Sequence, residues 1–125
     1  MKHASLTIRA IRTRAVSVPM RRPLGTSAAR MVNAPFILVD LETEEGVSGR
    51  AHAFCYLDIA MPMLRSVIEN FSDTLKGKLI DPIRLRELGR KRYGLLGTPG
   101  VVGMALSVLD VACWDALSRA AGQSL

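Results

Sequence analysis

The stretch from Val101 to Ala121 leaves this chain few choices, because it is apolar on nearly every side and stops at Gly122. A helix with that composition must be surrounded, either by protein or by lipid. Asp110 and Asp115 interrupt it, and from Val101 to Leu117 it falls short of the ~20 clean apolar residues that a membrane span needs. The reading is therefore a central helix, with the rest of the chain built to cover it and no membrane partner. At 125 residues the chain has the length of one domain, 1–125, and can bury enough surface to need no metal or disulfide staple.

The covering elements follow from periodicity. Leu6, Ile8 and Ala10, then Ala15, Val16 and Val18, bracket an arginine-rich alternating run that stops at Pro19, which predicts a first strand. Met20 to Ala34 holds Pro23, Gly25, Thr26, Ser27 and Asn33 with little apolar period, which predicts a long loop. Loops of about 15 residues without structure of their own are uncommon and often functional. Phe36–Leu41 and Val47–Tyr56 flank Glu44-Glu45-Gly46 as a hairpin. Leu64, Val67, Ile68, Phe71 and Leu75 form one helical stripe, begun by Asp58 as a cap and ended before Gly77. Asp81-Pro82 opens a second, shorter helix that runs to Tyr93, with Leu85 and Leu88 on one side and most of its basic residues facing elsewhere. Gly94 to Gly100 is a connector whose Pro99 opens the third helix. The fold class is α+β: a three-stranded antiparallel meander followed by a helical bundle.

Little in this pattern can carry chemistry. Net charge is +6, yet the arginines punctuate the first third and crowd Arg84–Arg92 without interleaved aromatic rings, which argues against nucleic acid. Cys55 and Cys113 lack metal or redox spacing and read as reduced core thiols, and residues 1–5 do not begin a secretory signal. Both features fit the cytoplasm. His3 lies at a fraying terminus, and His52 has no second ligand near it in sequence. Asp110 and Asp115 are five residues apart on one helix, so they diverge by about 140° and cannot share a metal. A buried aspartate there would instead take loop N–H groups or an arginine, which the basic second helix could supply. Lys76-Gly77-Lys78 reads as solvated charge at a helix end. The glycines at 94, 97, 100 and 103 follow no strand and do not cradle phosphate.

Three stretches taken together resemble the N-terminal domain of mandelate racemase and the muconate-lactonizing enzymes. They are Arg12-Thr13-Arg14-Ala15-Val16 with Val18-Pro19; Ala34-Pro35 through Val39-Asp40-Leu41 with Gly46-Val47 and Gly49; and the helix Ala105-x-Ser107-x-Leu109-Asp110-x-Ala112-x-Trp114-Asp115. Val108, Ser118 and Ser124 depart from the usual pattern. The resemblance implies an enolase-superfamily capping domain over a modified TIM barrel that is absent here. In such enzymes Mg²⁺ held by the barrel stabilises the enediolate formed when the proton α to a carboxylate is removed. It further implies that Leu24, Thr26 and Met31 on the long loop, with Phe54 and Tyr56 after the third strand, shape the cavity of a small-molecule carboxylate, a hydroxy acid or acid sugar. No catalytic residue and no metal ligand is expected in this chain, which would be inactive alone. Homo-oligomers are usual for the family. The alternative is a stand-alone binding or assembly module that sets its basic helix on an acidic partner.

Overall fold

Alternation along the first half of the chain becomes a sheet with one dry face. The computed structural model describes residues 5–125, so His3 and the other residues before Ser5 lie outside it. Strands β1 (Ile8–Gly25), β2 (Arg30–Thr43) and β3 (Ser48–Phe54) pair antiparallel in the order β1-β2-β3. Helices α1 (Ala60–Leu75), α2 (Pro82–Arg92) and α3 (Val101–Ala120) follow, and no barrel occurs among the described residues. Ile8, Ile37, Val39 and Leu41 bury their side chains on one face, while Arg12, Arg14, Leu38, Asp40 and Arg50 point to the other. The expected hairpin turn is held by Thr43, whose hydroxyl donates to the Val47 carbonyl at 2.7 Å and accepts from its N–H at 3.0 Å.

The long loop expected over Met20–Ala34 is instead a two-stranded ribbon. β1 passes through Pro19 and Pro23 to Gly25, and β2 starts at Arg30, with a register irregularity between Pro19 and Leu24. β1 is an edge strand, where a proline's missing N–H costs no central ladder bond. Every residue from Arg21 to Arg30 is exposed, so neither face of this ribbon packs on a core. Hydrophobic alternation reports a buried face rather than a strand, and here there was none to report.

The helices cover the dry face. Leu64, Ile68, Phe71 and Leu75 of α1 are buried as the stripe predicts. Asp58 does not cap α1, however: Ile59 is the N-cap, it makes no side-chain hydrogen bond, and the Asp58 carbonyl accepts from Met61 N–H. Asp81 does cap α2, accepting from the Arg84 N–H at 3.1 Å with Pro82 in the first turn. Pro99 stands just ahead of α3 rather than opening it, and Gly100 is the N-cap with φ 83°.

α3 is central, but only along one side. Val102, Ala105, Val108, Leu109, Ala112, Cys113 and Ala116 are buried, whereas Ser107, Val111 and Trp114 face outward. By length and composition alone it could cross a membrane, with a mean hydropathy of 1.6 over its best window. Here it packs on β3, α1 and α2. Its approach to β3 needs small residues on both sides. Gly49 faces the Ala112 carbonyl and Ala116, and a side chain at Gly49 would collide with both.

Asp115 finds its partners on β3 and on its own helix, not on α2. It accepts from the Arg50 N–H at 2.7 Å and pairs with Arg119 at 2.8 Å. Asp110 turns to the other side of α3, toward Arg86 and Arg90, without an ion pair among the described residues. Cys55 and Cys113 are free and buried. Burial, helped by the neighbouring Asp110 charge, pushes the Cys113 thiol up to about 12.

Candidate functional site

The five residues expected to shape a cavity occupy two places. On the ribbon, Leu24 and Met31 stand directly opposite each other across the strands, Leu24 exposed and Met31 half-buried. Thr26 closes the tip between them. Its hydroxyl donates to the Ala29 carbonyl at 3.1 Å and accepts from the N–H groups of Ala28 (3.3 Å) and Ala29 (3.0 Å). A threonine hydroxyl has one proton and two lone pairs, so this turn occupies all of them. Thr26 shapes the tip, while the apolar pair beneath it forms a wall.

The second place is the corner after β3. The Cys55 N–H donates to the Pro35 carbonyl at 2.8 Å and its side chain is buried, so β3 is anchored up to that point. α1 begins only five residues later, at Ala60, so the chain has to reverse at once. It does so at Tyr56, where the Leu57 N–H donates back to the Cys55 carbonyl at 2.7 Å around a φ of 63°. A positive-φ γ-turn is rare, and for a bulky residue it costs on the order of 1–3 kcal/mol. Tyr56 is the one non-glycine residue with positive φ among the described residues.

The turn aims an aromatic row. Tyr56 meets Phe54 edge-on at 4.7 Å between ring centroids, Phe54 meets Phe36 at 5.4 Å, and Phe36 meets His52 edge-on at 5.7 Å. Cross-strand register explains the middle of the row, since Phe36 lies opposite Phe54. The Tyr56 side remains 59% exposed, so the strained residue presents its phenol outward instead of burying it. Between this corner and α3 lies an open groove of about 500 Å³, whose walls include Phe54, Tyr56, Thr98, Ser107 and Val111.

The two places do not meet within this chain. Phe36 and Met31 are five residues apart on β2, about 16 Å along an extended strand, and the groove beside Tyr56 does not include Leu24, Thr26 or Met31. A substrate touching both would lie under the sheet's end and be bounded by something else below. Phe36, Thr98 and Ser107 were not legible as neighbours of this site. Phe36 reads in sequence as one more apolar strand residue, and the other two lie more than 40 residues from Phe54.

The arrangement offers mostly apolar walls with a phenol, hydroxyls and one imidazole. Magnesium does not fit here. Among the described residues no three histidine, cysteine or acidic side chains are grouped for a metal, and Asp110 and Asp115 lie on different sides of α3. The titratable groups on the groove beside the turn are the Tyr56 phenol and the His52 imidazole.

Comparison with known proteins finds likenesses over nearly the whole chain. Residues 8–125 match the model of the mandelate racemase / muconate lactonizing enzyme N-terminal domain. An enolase from alpha proteobacterium bal199, solved with bound magnesium, is 39% identical with a TM-score of 0.88, over 93% of this chain and 32% of that one. An enolase from Bradyrhizobium, solved with magnesium and mandelic acid, is 37% identical with a TM-score of 0.88, over 98% of this chain and 34% of that one. The cis-3-hydroxy-L-proline dehydratase of Roseibium aggregatum is 34% identical over 93 residues, which are 70% of this chain and 24% of the dehydratase. The chain thus spans about a third or less of the length of these relatives.

Proposed function

The chain belongs to the mandelate racemase / muconate lactonizing enzyme family through its N-terminal domain, and we propose that it roofs the substrate cavity of a Mg²⁺-dependent member that removes the proton α to a carboxylate. The strained turn at Tyr56 carries this reading. Backbone strain persists where the surroundings over-determine a side chain's direction, and here it directs a phenol outward next to an aromatic row. Leu24 and Met31 would supply the second wall, held at its tip by Thr26. Closing such walls over a substrate excludes water and strengthens the field of a metal bound below.

The metal would sit in the remainder of the enzyme, with the acid–base groups, so the chain by itself turns nothing over. Related proteins support a small carboxylate as substrate: one Bradyrhizobium relative holds mandelic acid and magnesium, and another relative is a hydroxyproline dehydratase. The buried, free Cys55 and Cys113 support a reducing, cytoplasmic setting.

The test begins with the gene beyond the codon for Leu125, read for an in-frame barrel with acidic metal ligands. The joined protein is then assayed for Mg²⁺-dependent exchange of α-protons with deuterium in mandelate and in acid sugars. Tyr56→Ala is expected to lower kcat/KM by at least about tenfold, as the loss of a positioning contact does, with Mg²⁺ affinity unchanged. Absence of a barrel, or a Tyr56→Ala enzyme with wild-type kcat/KM, refutes the roof.

A further inference from the structure

We propose that the groove between α2 and α3, beside Arg86 and Arg90, docks an acidic polypeptide segment of a partner protein, a role beyond roofing a substrate, although Thr98, Ser107 and Val111 wall both this groove and the one beside Tyr56. Helix α2 carries Arg84, Arg86, Arg90, Lys91 and Arg92 against a single carboxylate, Glu87. The last three suit the negative end of the helix dipole, and Arg92 also holds Asn70 at 3.2 Å. Arg84 and Arg86 have no such reason. Arg84 sits in the first turn, which contains no acidic residue, where exposed N–H groups favour anions. Arg86 stands one turn from Arg90, a like-charge pair that the fold gains nothing by keeping.

Elsewhere five arginines are answered. Arg9 and Arg12 pair with Glu42, Arg50 with Asp40, Arg65 with Glu69, and Arg119 with Asp115. Among the described residues, no cation of α2 reaches a carboxylate. Arg14, Arg21, Arg22 and Arg30 of the sheet and Lys76 and Lys78 after α1 are likewise without a carboxylate among the described residues, but α2 sets five such cations within 11 residues.

That charge borders a shaped surface. Arg86 and Arg90 line a groove of about 540 Å³ with the hydroxyl-bearing Thr98 and Ser107, and with Asp110. Two guanidiniums face one carboxylate there, which leaves one positive charge over. A guanidinium fork matches a carboxylate in a two-bond arrangement, and the hydroxyls can serve the backbone of the segment that carries it. The lining holds no aromatic ring on which a nucleobase could stack. The chemistry selects glutamate or aspartate side chains.

The test titrates the 125-residue chain with fluorescent decaglutamate at low salt, following anisotropy. Arg86→Glu/Arg90→Glu is expected to weaken binding at least about tenfold, and Arg21→Glu/Arg22→Glu on the ribbon, with the same change in net charge, less than about twofold. Circular dichroism of both variants establishes that they are folded, and Arg86→Gln/Arg90→Gln replaces the reversal if it is not. Equal weakening by the two double variants would reduce the effect to net charge and overturn the proposal. So would failure to bind decaglutamate, or tighter binding of a decamer RNA that Arg86→Glu/Arg90→Glu abolishes.

Discussion

Replacing Gly49 by alanine sets a methyl group against the backbone of α3. The added carbon would overlap the Ala112 carbonyl oxygen and lie 2.9 Å from both the Cβ and the N of Ala116. Neither obstacle is a flexible side-chain end, so relief requires α3 to lift from β3 by ~1 Å. A gap of that size forfeits a quarter to a half of each dispersion contact along the seam, where Ala105, Val108, Leu109 and Ala112 are all buried. Overpacking of this kind costs about 1–3 kcal/mol, and rigid backbone neighbours place it at the upper end. Loss of glycine's freedom in the unfolded chain returns about 0.4–1 kcal/mol. The net expectation is destabilisation of about 2 kcal/mol, or a fall in Tm of roughly 6–10 °C for a domain of this size. Thermal and urea unfolding followed by circular dichroism measure it. Gly25→Ala is the control, because nothing lies within 4 Å of a Cβ there and its φ is not positive; it should be neutral or slightly stabilising. Gly49→Ala within about 0.5 kcal/mol of the parent would refute the argument that small residues set the distance between α3 and the sheet.

Asp115→Ala strands the Arg50 N–H, a charge-assisted bond, and should cost about 1.5–3 kcal/mol in urea unfolding, whereas Arg119→Ala, which removes only a partly exposed helix pair, should cost under about 1 kcal/mol. Thr26→Val removes the hydroxyl that holds the ribbon tip. Hydrogen exchange at Ala28 and Ala29 should speed up while Tm changes little, since no core residue touches the tip. The raised thiol of Cys113 sets a sign for alkaline pH: the folded state prefers the neutral form, so its contribution is intact below the ordinary value of 9.0 and declines as pH rises toward about 12. Cys113→Ala should be less stable than the parent at pH 8 but show a shallower loss above pH 9, read by urea midpoints. Glu45 is held below its ordinary value of 4.5, chiefly by the Thr7 N–H, so its contribution is full above that value and disappears as pH falls beneath it; Glu45→Gln should flatten the acid limb of the stability profile.

Patterns with a buried face were legible in the residues alone. The stripe from Leu64 to Leu75, the Asp81-Pro82 start of α2, the hairpin at Glu44-Glu45-Gly46 and the stop at Gly122 each follow from a period or a cap that acts within a few residues. The motifs around Val39-Asp40-Leu41 and Leu109-Asp110 likewise carry the resemblance to the family. The ribbon was not legible, because a strand with water on both sides has no alternation to display. Nor was the exposed flank of α3, since an apolar composition says that a helix wants cover but not how much of it one domain provides.

The site divides in the same way. Resemblance picked out Leu24, Thr26, Met31, Phe54 and Tyr56 by position, but not how they are held. That Thr26 spends its hydroxyl on its own turn depends on where Ala28 and Ala29 lie. That Tyr56 adopts φ 63° depends on the anchoring of Cys55 by Pro35, 20 residues earlier in the chain. Short-range periods and caps are local free energies, and a sequence states them directly. The distance between α3 and β3, the partner of Asp115 and the direction of the Tyr56 phenol are settled by contacts between segments far apart in the chain, and these exist only once the layers have packed.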